Sequence, residues 1–575
     1  MKKLLFSIFV LLLVSLSWSS NAQQYNQQKL DSLFSKWGEI YFKCILQNPE
    51  DVHFLTRVIS ISDVKGNELY AYANRKEFNA FLQYNLKFTI LPHPGTTLSE
   101  SELNPYGTQD NLQNIHTWDF YPTYEQYISY MIGFATEYPE ICKLDTVGNT
   151  IQGRLILAVK ISRNINQEEA EPQFLYTSSI HGNETTGFIM MMHLIDYMLS
   201  NYGIDSTVTR LVNTTEILIN PLANPDGTYH GGNNSVLGAT RFNVNGVDLN
   251  RNFPDPKTGL PSDPIQTETL AWMAYADMNH FTQSANFHDG VEVFNYPWDT
   301  YSKLTADDNW WKFVGREWAD TIHKYAPAGY FTFQNNGITN GWAWYEVNGG
   351  RQDYMNFFHN CREVTVELSN YFLIPPSLLP NYWNYNYRTF LNYIKQVNYG
   401  FHGIVTDTVT NQPVAAKVFI TAHDLDNSEV YSRLPTGFYA RPIYEGNYNV
   451  TFSAPNYFSK TIYNVNVLKR ATTVLDVQLR PLTYGLPDNV VNSLLVYPNP
   501  SDGKFRIMLP ETPVDASGSF KVINTLGAVV YSSVLNIEKV SNIAEIDIPS
   551  LPEGFYVIKF NSGNRIYSDK LIIKR

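Results

Sequence analysis

The sequence predicts an α/β domain built around one large sheet, followed by two small β-sandwiches. Three observations carry this reading. From Trp118 to about Val397, short apolar strands alternate with helical patterns. At Gly400 the helical period stops, and Phe401 to Leu479 and Val496 to Arg575 show only strand alternation and turn residues. The chain is 575 residues long, more than one hydrophobic core fills.

The N-terminus reads as an export signal over residues 1–22. Lys2 and Lys3 precede the apolar run Leu4 to Trp18, and Ser20-Asn21-Ala22 supplies small residues for cleavage. The run is short for a bilayer span, which disfavours an uncleaved anchor, and no later stretch is apolar enough to cross a membrane. Residues 23–115 form an N-terminal segment or small prodomain, read as a β-α-β unit. Its strands are placed at Val58–Ser62 and Phe88–Leu91, with a helix around Phe78–Leu82 between them. In the α/β domain, set at residues 116–398, Leu155–Ile161, Phe174–Ile180, Glu216–Asn220 and Val364–Leu368 read as buried strands. Phe188, Met192, Ile195 and Leu199 mark one face of a helix. The first sandwich takes residues 399–480, a linker 481–492, and the second sandwich 493–575.

Composition narrows the function. Hydrophobic residues make up 44% and charged residues 17%, the balance of a folded chain. Lys and Arg number 42 against 54 Asp and Glu, a net charge of −12, which argues against nucleic acid as a partner. Three cysteines, Cys44, Cys142 and Cys361, exclude a disulfide scaffold and leave one pair possible.

Chemistry gathers in the α/β domain. His181-Gly-Asn-Glu184 stands where a strand runs out before a helix, and its imidazole and carboxylate can face one metal ion. Alone the pair is a weak signal, and His288 in Phe287-His-Asp-Gly290 would alone read as a core histidine. The company they keep reverses that: Asn224-Pro-Asp-Gly227, Asn243-Val-Asn-Gly-Val-Asp-Leu-Asn-Arg-Asn-Phe-Pro254, Tyr345-Glu-Val-Asn-Gly-Gly-Arg-Gln-Asp353 and Val364-Thr-Val-Glu-Leu-Ser369.

These motifs, in this order, resemble the zinc metallocarboxypeptidases, specifically the regulatory N/E/D-type branch, from Trp118 to Val397. The resemblance implies a mixed central sheet flanked by helices, and a transthyretin-like sandwich opening at Phe401-His-Gly-Ile-Val-Thr-Asp407. It implies one Zn²⁺ held by His181, Glu184 and His288, with Asp248 orienting His181. Glu367 matches the general base, and Arg241 the arginine that holds the oxyanion. Asn250 and Arg251 match the clamp for a free C-terminal carboxylate, and Tyr345 the tyrosine that closes over it. In Tyr296-Pro-Trp-Asp299 the carboxylate matches the pocket residue that pairs with a basic side chain, and Gln352 matches its polar neighbour. Arg351 departs from the small or apolar residue common there; near the pocket its charge would weaken that preference, and pointing to solvent it would be screened.

The last region resembles a C-terminal sorting domain of the bacterial type IX secretion system. Val496-Tyr-Pro-Asn-Pro500, Gly503, Val522-Ile-Asn-Thr-Leu-Gly527, Leu551-Pro-Glu-Gly554 and Lys570-Leu-Ile-Ile-Lys-Arg575 carry the likeness. An extra carbohydrate- or protein-binding sandwich is the alternative. The expected whole is a bacterial enzyme, exported through the periplasm and secreted or held at the cell surface. It cleaves the C-terminal bond of peptides and proteins, preferring Lys or Arg, and meets the secretion machinery through its last domain. A catalytically silent peptide-binding module is one alternative, and a peptidase for peptidoglycan or Glu-linked substrates is another.

Overall fold

The computed structural model describes residues 27–103, 117–482, 491–510, 517–537, 542–563 and 565–575. The export signal expected at residues 1–22, and most of the expected linker, lie outside these. The chain forms two compact units, Met1–Leu482 and Thr483–Arg575. No helix among the described residues is long and apolar enough to cross a membrane.

The first unit begins with helix α1 (Gln27–Trp37) and strands β1 (Glu39–Ile45), β2 (Ser60–Lys65) and β3 (Glu68–Asn74), then α2 (Arg75–Phe81) and β4 (Phe88–Ile90). The sheet runs β2-β3-β1-β4 with every pairing antiparallel, so the expected β-α-β unit is corrected to a four-stranded antiparallel sheet. Phe42, Phe78, Phe81 and Phe88 fill its core. Asn74 caps α2, its side chain accepting from the Glu77 amide while Glu77 reaches back to the Asn74 amide.

The main sheet has eight strands. In chain order its elements are α3 (Tyr124–Glu137), β5 (Cys142–Asn149), β6 (Leu155–Ile161), β7 (Gln173–Ser178), α4 (Thr186–Asn201), α5 (Ser206–Thr214), β8 (Glu216–Asn220), α6 (Thr267–Met278), β9 (Phe281–His288), β10 (Glu292–Tyr296), α7 (Asp308–His323), β11 (Ile338–Asn340), α8 (Arg351–Phe358), β12 (Arg362–Leu368) and α9 (Leu379–Gln396). The order is β11-β10-β12-β9-β7-β8-β6-β5. Strands β8, β7, β9 and β12 run parallel, whereas β10–β12, β6–β8 and β5–β6 are antiparallel. The sheet is therefore mixed, as the resemblance implies. Helix α4 is buried on most of its surface, Met190, Met191 and Leu194 included, because α9 packs over the side that sequence periodicity leaves open, with His193 and Tyr197 half-buried against its Trp383. All three cysteines are free and buried, so the disulfide left open by the sequence does not form.

Residues 400–479 form a two-sheet sandwich whose core includes Phe401, Val405, Val418, Ile420, Val450 and Phe452. It joins the main sheet through buried charges. Asp307 accepts from Arg362 Nη2 at 3.1 Å and Arg441 Nη1 at 3.0 Å, and Arg441 Nη2 reaches Asp424 at 2.7 Å. Two arginines facing two aspartates leave no net charge buried, which makes such a network tolerable in a low-dielectric junction. The second unit holds a five-stranded and a three-stranded sheet, with Phe505, Ile507, Phe520, Val522, Ile558 and Phe560 in its core.

Candidate metal centre and active site

The site lies at the carboxyl ends of β7, β9 and β12, where ligands collect in open α/β sheets. The loop leaving β7 carries His181 and Glu184 before α4 begins. Its turn depends on Gly182, where a Cβ would stand 2.3 Å from the Gly227 carbonyl carbon. His288 is the last residue of β9 and pairs in register with Glu367 of β12, so both side chains rise on the same side of the sheet.

The ligand atoms converge. His181 Nδ1 lies 2.9 Å from Glu184 Oε1, His288 Nδ1 lies 2.7 Å from Glu184 Oε2, and the two Nδ1 atoms are 3.0 Å apart. The other ring nitrogens are anchored: His181 Nε2 on Asp248 at 3.0 Å and His288 Nε2 on Asn286 at 2.5 Å. Two imidazoles and a carboxylate with donor atoms within 4.8 Å of one another, each ring fixed from behind, match the kind of donor set that a catalytic zinc ion takes. Burial pulls His288 down to about 4, which keeps its imidazole neutral and able to ligate. Burial alone raises Glu184 and Asp248, but the histidines and Arg241 outweigh it, leaving both carboxyls below their usual range.

Around the ligands, one small cavity of about 30 Å³ is walled by Arg241, Asn250, Arg251, Tyr345, Glu367 and Asp299 among others. Burial, then the charge of Glu184, raises Glu367 well above its usual range, and its Oε2 is buried with no hydrogen-bond partner. Arg251 Nε is likewise buried without one. An unpartnered acceptor and an unpartnered cationic donor on one cavity suit a ligand that brings both a donor and a carboxylate.

A sequence profile of the zinc carboxypeptidase family matches residues 127–389, and one of the secretion system C-terminal sorting domain matches residues 495–574. The carboxypeptidase N catalytic chain of Mus musculus is 30% identical over 398 residues, covering 62% of this chain and 85% of that protein. The chain belongs to the zinc carboxypeptidase family. Carboxypeptidase D of Homo sapiens is 36% identical over 378 residues, 61% of this chain, and the match spans only 26% of that longer protein. Carboxypeptidase A of Helicoverpa armigera, a crystal structure, shares the fold at a TM-score of 0.50 and 17% identity, over 62% of this chain and 96% of that one.

In this zinc carboxypeptidase family member, Asp299 reaches the cavity and its carboxylate accepts from Asn295 Nδ2 at 3.1 Å and Gln352 Nε2 at 3.0 Å. A Cβ on Gly341 would stand 1.7 Å from Asp299 Oδ1, so glycine there is what leaves the carboxylate its place. Gln352 stands behind Asp299 and not on the cavity wall: its amide is spent on Asp299 and on the Thr365 amide at 2.6 Å. Arg351 lies neither in the pocket nor in solvent. It is buried, 3.2 Å from Glu363 and over the Trp272 ring, where Glu363 neutralises it.

Sequence reasoning missed the contribution of the N-terminal sheet. Ile61 and Ser62 of β2 line the cavity, the Tyr345 hydroxyl donates to the Ile61 carbonyl at 3.3 Å, and Arg241 Nε donates to Ser60 Oγ at 2.8 Å. Glu39 accepts from the Arg241 and Phe242 amides at 2.8 and 2.9 Å. No local motif announces such contacts across some 200 residues. Asn295, four residues before Asp299, and Asp353, next to Gln352, were within reach of a closer reading of those two motifs.

Proposed function

We propose that the chain is a zinc-dependent carboxypeptidase that removes one residue from the C-terminus of peptides and proteins, with Lys and Arg preferred. The observation that carries this is the single cavity shared by the His181–Glu184–His288 donor set, Glu367, two arginines and Asp299. A zinc ion in that donor set supplies Lewis acidity and a water made acidic at neutral pH. The residues supply the rest. Arg251 and Asn250 take the terminal carboxylate, Tyr345 closes over it, and Arg241 faces the scissile carbonyl as negative charge develops on its oxygen. Glu367 takes the proton of the attacking water and returns it to the leaving nitrogen. Asp299, at the pocket floor, pairs with the cationic side chain of the departing residue.

Blocked dipeptides ending in Arg, Lys, Phe and Glu test the reading. Arg and Lys are expected to be hydrolysed fastest and Glu slowest, all rates falling to background with a chelator and returning with Zn²⁺. Chelator-resistant hydrolysis, or a preference for Phe, contradicts it.

Residues 27–103 we read as a covering prodomain, because β2 supplies part of the wall of a cavity too small for an amino acid. Cutting the folded protein at a protease site introduced between residues 103 and 117 is expected to raise kcat/KM at least tenfold. An unchanged or reduced rate would show that β2 is a permanent wall. The sorting-domain match supports export, with the protein released or held at the surface and the last unit read by the secretion machinery.

A further inference from the structure

The pocket floor holds more negative charge than one specificity residue needs. Behind Asp299, the buried carboxylate of Asp353 accepts from the Asp299 amide at 3.1 Å to each oxygen and from the Thr300 amide at 2.8 Å. Asp353 therefore holds the turn on which Asp299 stands. A third carboxylate, Asp255, accepts from Thr300 Oγ1 at 3.2 Å and from the Gly349 amide at 3.0 Å. All three are at least nine-tenths buried. The groups facing them are few: Arg251, Tyr345 and Tyr301, while Lys257, beside Thr300, is engaged with Glu346 at 2.7 Å.

We propose that Asp353 is a positioning residue for specificity that acts through Asp299. It fixes the turn carrying Asp299 in a dry, acidic floor, and the preference for a basic C-terminal residue set by that turn is lost in acid. This rests on the function proposed above and names the control of its specificity. Two close carboxylates in a dry floor resist holding two negative charges, and the guanidinium or ammonium of a substrate supplies the missing countercharge. Consistent with this geometry, burial pushes Asp299 up to about 6, and burial together with the charge of Asp299 raises Asp353 further. Asp299 is thus charged above about 6 and neutral below it.

Competition between an Arg-ending and a Leu-ending peptide in one vessel reads the proposal on the full chain. The ratio of the two rates cancels the fraction of molecules whose cleft is open. From pH 7 to pH 5 the Arg/Leu ratio is expected to fall about tenfold, the loss of charge expected one unit below the midpoint. Asp353→Asn loses one of the two oxygens that hold the Asp299 and Thr300 amides and is expected to lower the Arg/Leu ratio at pH 7 at least about threefold. Asp353→Glu keeps a carboxyl group for those amides and is expected to recover part of the ratio. A native ratio that is flat with pH overturns the proposal without any variant, as does an Asp353→Asn profile that overlays the native one.

Thermal melting separates this from the proposed reaction. The folded pair binds protons more tightly than the unfolded chain, so its contribution to stability is full below about pH 4 and is lost as pH rises through about 6. Asp353→Asn is expected to flatten that slope, whereas loss of a purely structural contact lowers melting equally at every pH. A chain that cleaves no terminus but shows the flattened slope sinks the carboxypeptidase reading and leaves the coupled pair standing. Parallel melting profiles overturn the pair.

Discussion

Glu367→Gln is expected to lower kcat by roughly a hundred- to ten-thousandfold, the usual contribution of a positioned acid–base group, while zinc content and substrate binding persist. The expectation follows from where the residue stands. Glu367 is the neighbour in register of His288, yet it takes no part in the cluster of His181, Glu184 and His288. Its Oε2 has no protein partner, so the glutamine amide replaces it without breaking a hydrogen bond of that atom. Zinc measured by elemental analysis, alongside kcat on an Arg-ending dipeptide, checks this. Loss of metal together with activity would make Glu367 a structural support of the ligand set; full activity would remove it from the chemistry.

Asp299→Ala is expected to erase most of the preference for Arg over Leu. A charge-assisted contact contributes about 1.5–3 kcal/mol, or roughly ten- to more than a hundredfold in the ratio of kcat/KM. The structure removes the main objection to this figure. Arg351 was the one cation expected to oppose a basic substrate, and its pairing with Glu363 turns it away from the cavity. The substitution leaves Asn295 and Gln352 without their shared acceptor, so some loss of stability accompanies it. The ratio of the two substrates, insensitive to the amount of folded protein, is the quantity to measure. An unchanged ratio would place the specificity determinant elsewhere in the cavity.

What could be read from the sequence was what the chain encodes locally or in a recurring motif. His181 and Glu184 sit three residues apart in one loop, and strands such as Glu216–Asn220 announce themselves as short apolar runs. Strand β1 was not read because its first residue is Glu39, a carboxylate whose burial makes sense only once the Arg241 and Phe242 amides are brought to it. Arg351 shows the same limit from the other side. Its position after Gly349-Gly350 placed it near the pocket, but only the fold reveals that the start of α8 turns its side chain toward Thr177, Trp272 and Glu363. Gln352 was assigned to the right neighbourhood with the wrong outlook, facing Asp299 and not the cavity. The role of β2 in closing the site depends on Ser60 meeting Arg241 and Ile61 meeting Tyr345, pairs that no periodicity links.

The cavity is expected to recognise a free C-terminal carboxylate, and mass spectrometry of one peptide in two forms reads this without any variant. A peptide ending in Arg, with a free terminus, is expected to lose a single C-terminal arginine, while the same peptide as its C-terminal amide stays intact, because Arg251 and Asn250 then have no anion to hold. Equal trimming of both forms, or cleavage at an internal bond, would contradict the account.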